Sequence, residues 1–202
     1  MKNHYYLLVL FVCSLFAYAC KKEDTQPQTV ANIVTNGDME AAPYADWGSY
    51  LGRVSTTSPN KYTIEYSTEA ASSPTHSIKV SCDAVKNDTT YQYLQQIIYT
   101  SNKPIPAGAK LTLRAKIKVV NVQGNGISLA MGGNEGASGR YASAFYTSTE
   151  GKIAITGTND FKEYALTFDS FPAKATSMYV LLAYLHKTTG TVYFDDVSLS
   201  IN

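Results

Sequence analysis

The chain has 202 residues, 45% of them apolar and 12% aromatic, and its 17 Lys and Arg against 16 Asp and Glu leave a net charge of +1. So even a balance gives no electrostatic case for nucleic acid or an acidic polymer as partner. Three Cys against 16 Tyr exclude a disulfide-dense scaffold and require a real hydrophobic core, which this length can build as one domain.

The first twenty residues, MKNHYYLLVLFVCSLFAYAC, place one Lys ahead of an apolar run that ends in small residues before Cys20. That is the layout of a secretory signal peptide, and the run is short for a membrane span. AYAC resembles the lipobox of bacterial lipoproteins, in which the cysteine carries lipid and becomes the new N-terminus, although Tyr18 departs from the usual small residue. The alternative is a plain signal peptide with an incidental cysteine. CKKED resembles the short signal that sends lipoproteins of one Gram-negative phylum to the outer face of the outer membrane. These resemblances imply a signal over residues 1–19, lipidation at Cys20 and a membrane anchor at the bacterial surface. Residues 20–31, containing TQPQTVA, are polar and suit a flexible tether. Without residues 1–19, which hold one Lys and no acid, the charges stand at 16 against 16. Cys82 would then be the one cysteine left without a role as lipid carrier, so no intramolecular disulfide is expected.

From Asn32 to Asn202 no helical apolar period is sustained, while short runs rich in Val, Ile, Thr and Tyr recur between turn residues. In chain order the expected strands are ANIVTN, WGSYLGRV, KYTIEYS, HSIKVSCD, YQYLQQIIY, KLTLRAKIKVV, GISLAMG, YASAFYT, GKIAI, FKEYALTFD, SMYVLLAYLH and TVYFDDVSLS. KLTLRAKIKVV alternates cleanly, with Leu111, Leu113, Ala115, Ile117 and Val119 on one face and Thr112, Arg114, Lys116 and Lys118 on the other. A dozen strands without helices predict an all-β, antiparallel two-sheet jelly-roll sandwich over residues 32–202. In the last strand the same alternation puts Asp195 with Tyr193, Val197, Leu199 and Ile201, and Asp196 on the opposite face. A buried Asp195 needs a partner, because a lone ionised carboxylate is costly away from water.

NIVTNGDMEAAPYADWG resembles the opening of carbohydrate-binding modules appended to bacterial cellulases and xylanases, which share a galactose-binding-type jelly roll. TVYFDDVSL resembles their closing strand, and SSPTHSIKVS, PIPAGAKLTLRAKIKV and FKEYALTFD fall between them in the family's order. Met39 stands where Phe is usual, and Pro74 where a Gly is common. The resemblance implies first and last strands side by side, with a structural Ca²⁺ at their end held by Glu40, Asp195 and backbone carbonyls near Ser73 to Thr75. Ca²⁺ takes six to eight oxygen ligands, which suits such a set. The competing expectation is an Asp195 hydrogen-bonded to backbone amides or to a Lys. Asp38 and Asp196 read as turn or surface residues.

No catalytic constellation is visible. Opposite faces would separate Asp195 from Asp196 as a glycosidase pair. His76 and His186 accompany no G-x-S-x-G elbow, metal-binding Cys/His spacings are absent, and GNGISLAMGG precedes no helix. Tyrosine, which offers a ring face to sugar C–H groups and a hydroxyl to sugar hydroxyls, is the prominent chemistry. The expected ligand-binding residues are Trp47 and Tyr50 after the opening motif, and Tyr93, Gln95 and Gln96 on the resembling groove strand. Arg114 on a polar strand face, and Arg140 and Tyr141 at the end of a long loop, complete the set. The expected function is non-catalytic binding of a polysaccharide or oligosaccharide near glycan-degrading or importing proteins. A protein-binding or adhesion module, a glycoside hydrolase or lyase, and a purely structural lipoprotein are the alternatives.

Overall fold

The computed structural model describes residues 32–41, 46–52, 60–136 and 142–202. The expectations for residues 1–31, Cys20 included, and for Arg140 and Tyr141 lie outside these residues. Among those described, nine strands form: β1 Gly48–Gly52, β2 Thr63–Ser67, β3 Ser77–Cys82, β4 Tyr91–Tyr99, β5 Leu111–Glu135, β6 Ala142–Ser148, β7 Ile155–Phe168, β8 Ala175–Tyr184 and β9 Thr189–Ile201. Every pairing is antiparallel, in the order β1-β4-β8-β5-β9-β3-β2, with β6 and β7 also on β5.

β5 makes one hydrogen-bonded network into two layers. Its first half pairs with β9 and β7, and its second half, from Ile127, pairs with β8 and β6. Between the halves Asn121, Gly124 and Gly126 take φ of 51°, 85° and 81°, a left-handed region open to Gly and tolerated by Asn. There the strand turns the corner. One layer is then β2-β3-β9-β5-β7 and the other β1-β4-β8-β5-β6. The two expected strands KLTLRAKIKVV and GISLAMG are thus one bent strand. ANIVTN forms only the bridge from Asn32 to Ser200 of β9, and GKIAI contributes only Ile155.

The core lies between the layers. Leu111, Leu113, Ala115, Ile117 and Val119 are all buried, as their alternation requires, and meet a core that includes Leu94, Ile98, Met178, Val180, Leu182 and Leu129. Each Leu, Ile, Val or Met side chain among them contributes roughly 1.5–3 kcal/mol on leaving water. Cys82 is buried and unpaired. The fold is an all-β antiparallel sandwich of jelly-roll type.

β9 departs from simple alternation. Arg114 pairs with Ser198, yet Lys116 pairs with Asp195, so β9 carries one extra residue, and Asp196 sits at φ 47°. This is a β-bulge, which shifts the side-chain phase of the strand by one. Val192 and Phe194 face the core before it, Val197 and Leu199 after it. Asp195 therefore shares the outward face of Tyr193, opposite Lys116, and not the face of Val197 and Leu199 that unbroken alternation predicts.

Candidate functional site

Two places bear on function: the turn that covers Asp195, and a hollow on the outward face of the second layer.

Asp195 is fully buried although it faces outward, because residues 72 and 73 lie over it. Its Oδ2 accepts the amides of Ser72 (2.6 Å) and Ser73 (2.9 Å), and its Oδ1 accepts the Asp196 amide (2.7 Å) and the Ser73 hydroxyl (3.2 Å). Burial pushes its carboxyl above the usual range, against the pull of those amides. Asp196 is not on the opposite side: its Oδ2 accepts the Ser72 hydroxyl (2.8 Å) and pairs with Lys116 (2.9 Å). The bulge brings both carboxylates to one turn, correcting the opposite-face expectation.

Glu40 clamps the other end of the same turn. Its Oε1 accepts the amides of Thr75 and His76 (both 2.8 Å), and its Oε2 meets the Thr75 hydroxyl (2.7 Å) and His76 Nδ1 (2.9 Å). The His76 hydrogen bond leads the contacts that hold Glu40 down to about 2. Tyr66 stacks on His76 at 4.2 Å and donates its hydroxyl to the Glu40 carbonyl. An ionised carboxylate offers about four acceptor sites, and in both Glu40 and Asp195 four hydrogen-bonding groups use them. As arranged, backbone amides and hydroxyls of the turn occupy both carboxylates, which is the competing expectation stated for Asp195. Among the described residues no group of three or more His, Cys, Asp or Glu is placed to hold a metal.

The hollow on the second layer has a volume of about 510 Å³. Its floor is made of small or flat side chains on the central strands, Ser128 and Ala130 of β5 and Leu181 and Ala183 of β8. Tyr91 and Tyr93 of β4 flank it on one side, their rings 5.7 Å apart, and Tyr146 of β6 on the other. Tyr179 of β8 lies over Gly132 of β5, where any Cβ would collide with its ring. Next to it, Gly133 gives the same room to Phe145 on the core side. Paired glycines in mid-strand thus seat one aromatic ring on each face of the sheet. Burial raises the Tyr179 phenol, and the Tyr146, Tyr93 and Tyr91 phenols add to the shift, so this hydroxyl stays protonated and can both donate and accept.

Among the described lining residues Glu150 is the one carboxylate, whereas glycoside hydrolysis canonically uses two. Ser128 Oγ is engaged by Leu129 and Thr149, and His186 Nε2 lies 2.9 Å from Asn125 Nδ2.

Of the residues expected to bind ligand, Tyr93 and Gln95 line the hollow. The backbone of Tyr50 pairs with Tyr93. Trp47 is a core residue, 1% exposed, with its indole N–H on the Asn36 carbonyl (3.1 Å). Gln96 has the opposite strand parity from Gln95: it is buried, accepts the Thr35 amide and donates to the carbonyls of Thr35 and Asp46. Arg114 is on the other layer, paired with Glu163 at 2.6 Å. Sequence reasoning missed Tyr91, Tyr146 and Tyr179. Parity on YQYLQQIIY could have joined Tyr91 to Tyr93 and Gln95, and the Gly132–Gly133 pair marked a close approach.

No protein-family model matches the sequence, and no curated protein matches it. Solved structures do resemble it. A candidate sugar-binding protein from Bacteroides thetaiotaomicron has a TM-score of 0.59 and 11% identity over 85% of this chain and 100% of that one. The enzymatically active domain of tailspike protein 4 of bacteriophage CBA120 also scores 0.59, with 18% identity over 85% of this chain, which spans only 21% of that one. A family 11 carbohydrate-binding module of a Clostridium thermocellum cellulosomal cellulase scores 0.53, with 13% identity over 86% of this chain and 96% of that one. At these identities the likeness shows the fold alone, a β-sandwich that this chain shares with a carbohydrate-binding module and with a tailspike domain.

Proposed function

We propose that this protein binds a polysaccharide or oligosaccharide without cleaving it, in the hollow between Tyr91, Tyr93, Tyr146 and Tyr179. The observation that carries the reading is this set of four phenols around a floor of small side chains. Sugar rings offer apolar C–H faces to such rings and hydroxyls to the phenols, Gln95 and Glu150. The fold shared with a family 11 carbohydrate-binding module supports it, and a lone carboxylate in the hollow speaks against the hydrolase alternative.

The N-terminal resemblances complete the proposal: lipidation at Cys20 anchors the chain to the outer membrane, facing outward, where it holds glycan near degrading or importing proteins. Weak single sites then gain by avidity from many copies. Affinity electrophoresis of the purified protein in gels of mixed-linkage β-glucan, xylan, galactan and starch tests the binding. Retardation by at least one, weakened in Tyr93→Ala and Tyr179→Ala, is expected, and migration unchanged in all four overturns the reading. Radiolabelled fatty acid entering the wild type and not Cys20→Ala tests the anchor.

A further inference from the structure

The outward face of β4 does not stop at the hollow. By strand parity it runs Tyr91, Tyr93, Gln95, Ile97, Tyr99, and the last two are 48% and 50% exposed. Two large apolar side chains side by side in water on a regular strand call for an occupant.

A second hollow of about 250 Å³ begins at these residues, lined among others by Thr35, Asp46, Ile97, Tyr99, Asn102 and Lys103. Its far wall is fixed. β1 pairs with β4 only as far as Gln95; beyond that point the buried Gln96 side chain ties Thr35 and Asp46 to the strand with three hydrogen bonds. Lys103 Nζ donates to the Ile33 carbonyl at 2.8 Å, and the amides of Asn102 and Lys103 both donate to the Tyr99 carbonyl at 3.0 Å. The turn that follows Tyr99 is thereby held in place before any ligand arrives.

Ile97, which lines the second hollow, is the residue nearest the first along the outward face of the strand. It is two residues from Gln95 and sits opposite Tyr179 on β8, both of which line the first hollow. The second hollow shares with the first an apolar strip, a phenol, a carboxamide and a carboxylate, and adds the ammonium of Lys103.

We infer that the Ile97–Tyr99–Lys103 hollow is an extension subsite for the same glycan chain, so that the protein grips a linear polysaccharide along β4. This rests on the glycan reading of the first hollow. From Tyr91 to Tyr99 the strand advances about 27 Å at roughly 3.4 Å per residue. A disaccharide would occupy the first hollow alone, while a longer chain would reach both.

The test uses the polysaccharide retained in affinity electrophoresis, with its di- and hexasaccharide measured by calorimetry. The hexasaccharide should bind about tenfold tighter than the disaccharide, of the order that one good contact supplies. In the double variant Ile97→Ser, Tyr99→Ala that gain should vanish with disaccharide affinity unchanged, which also shows that the variant is folded. Tyr93→Ala should weaken both ligands. A length gain that persists in the double variant, or no length gain in the wild type, overturns the extension while leaving the first hollow intact. Retention of no polysaccharide overturns both.

Discussion

The two layers turn very different faces to water. On the second, tyrosines surround a floor of Ser, Ala and Leu with one carboxylate. On the first, cations and anions pair across neighbouring strands: Lys79 with Glu65 and Glu69, Arg114 with Glu163, Lys118 with Asp160, and Lys116 with Asp196. Both faces use long side chains on the same kind of pleated surface. The paired charges keep the first surface hydrated, and on that layer Lys118 and Lys162 lie over the rings of Phe161 and Tyr164, whereas the phenols on the other layer surround a concave area. The two surfaces are thus told apart by what fills the space between side chains.

If that contrast is right, substitutions on the two faces must fail in different currencies. The largest effect is expected at Asp195, the fully buried carboxyl beneath the first layer's outward side. Asp195→Ala strands three amides and should lower unfolding stability by about 2–4 kcal/mol in denaturant melts, with glycan affinity of the folded fraction unchanged. Next, Tyr179→Ala should cost about tenfold in glycan affinity, close to 1.4 kcal/mol, with little change in melting temperature.

Acid gives a third handle. Glu40 is held at about 2 in the folded protein against an ordinary 4.5, so its contribution is present above pH 4.5 and is lost as pH falls toward 2. Asp195, whose carboxyl is raised, works in the opposite sense on the acid side. Glu40→Gln should therefore flatten the acid branch of a stability profile, and an unchanged slope would remove Glu40 from its cause. The smallest effect belongs to the paired charges: Arg114→Ala should change stability by no more than ~1 kcal/mol and leave glycan binding alone, since exposed pairs contribute little. A chelator should leave the melting temperature where it was if hydrogen donors alone satisfy Glu40 and Asp195, and a clear drop would return the ion to that turn.

Much of this was legible in the sequence, for definite reasons. The alternation of Leu111 to Val119 with Thr112 to Lys118 fixed a half-buried strand, because only one register hides every apolar side chain. The resembling motifs identified the sandwich where whole-sequence matching found no relative, since they are the pieces that close the fold. Trp47 and Gln96 went astray because residue type says what a side chain can bind, not where it points. Gln95 and Gln96 have the same chemistry, and one residue of parity sends the first to the hollow and the second to the wall behind it. The bulge at Asp196 could be read only in hindsight, from an Asp at a position that needs positive φ. Tyr146 and Tyr179 come from strands far apart in the chain, and no local pattern joins them.

That bulge also bears on how the last strand can change over generations. Because the bulge at Asp196 takes up one additional residue, losing that residue would leave Val197 and Leu199 in phase with Phe194, whereas losing one residue between Val197 and Leu199 would turn Leu199 toward solvent. Exchanges of side chain at Ser198 or Ser200, which lie on the other face, would by contrast be absorbed. The end of this strand should therefore be permissive to point substitution on its outer face, and a single-residue change in length should be tolerated at the bulge and nowhere beyond it.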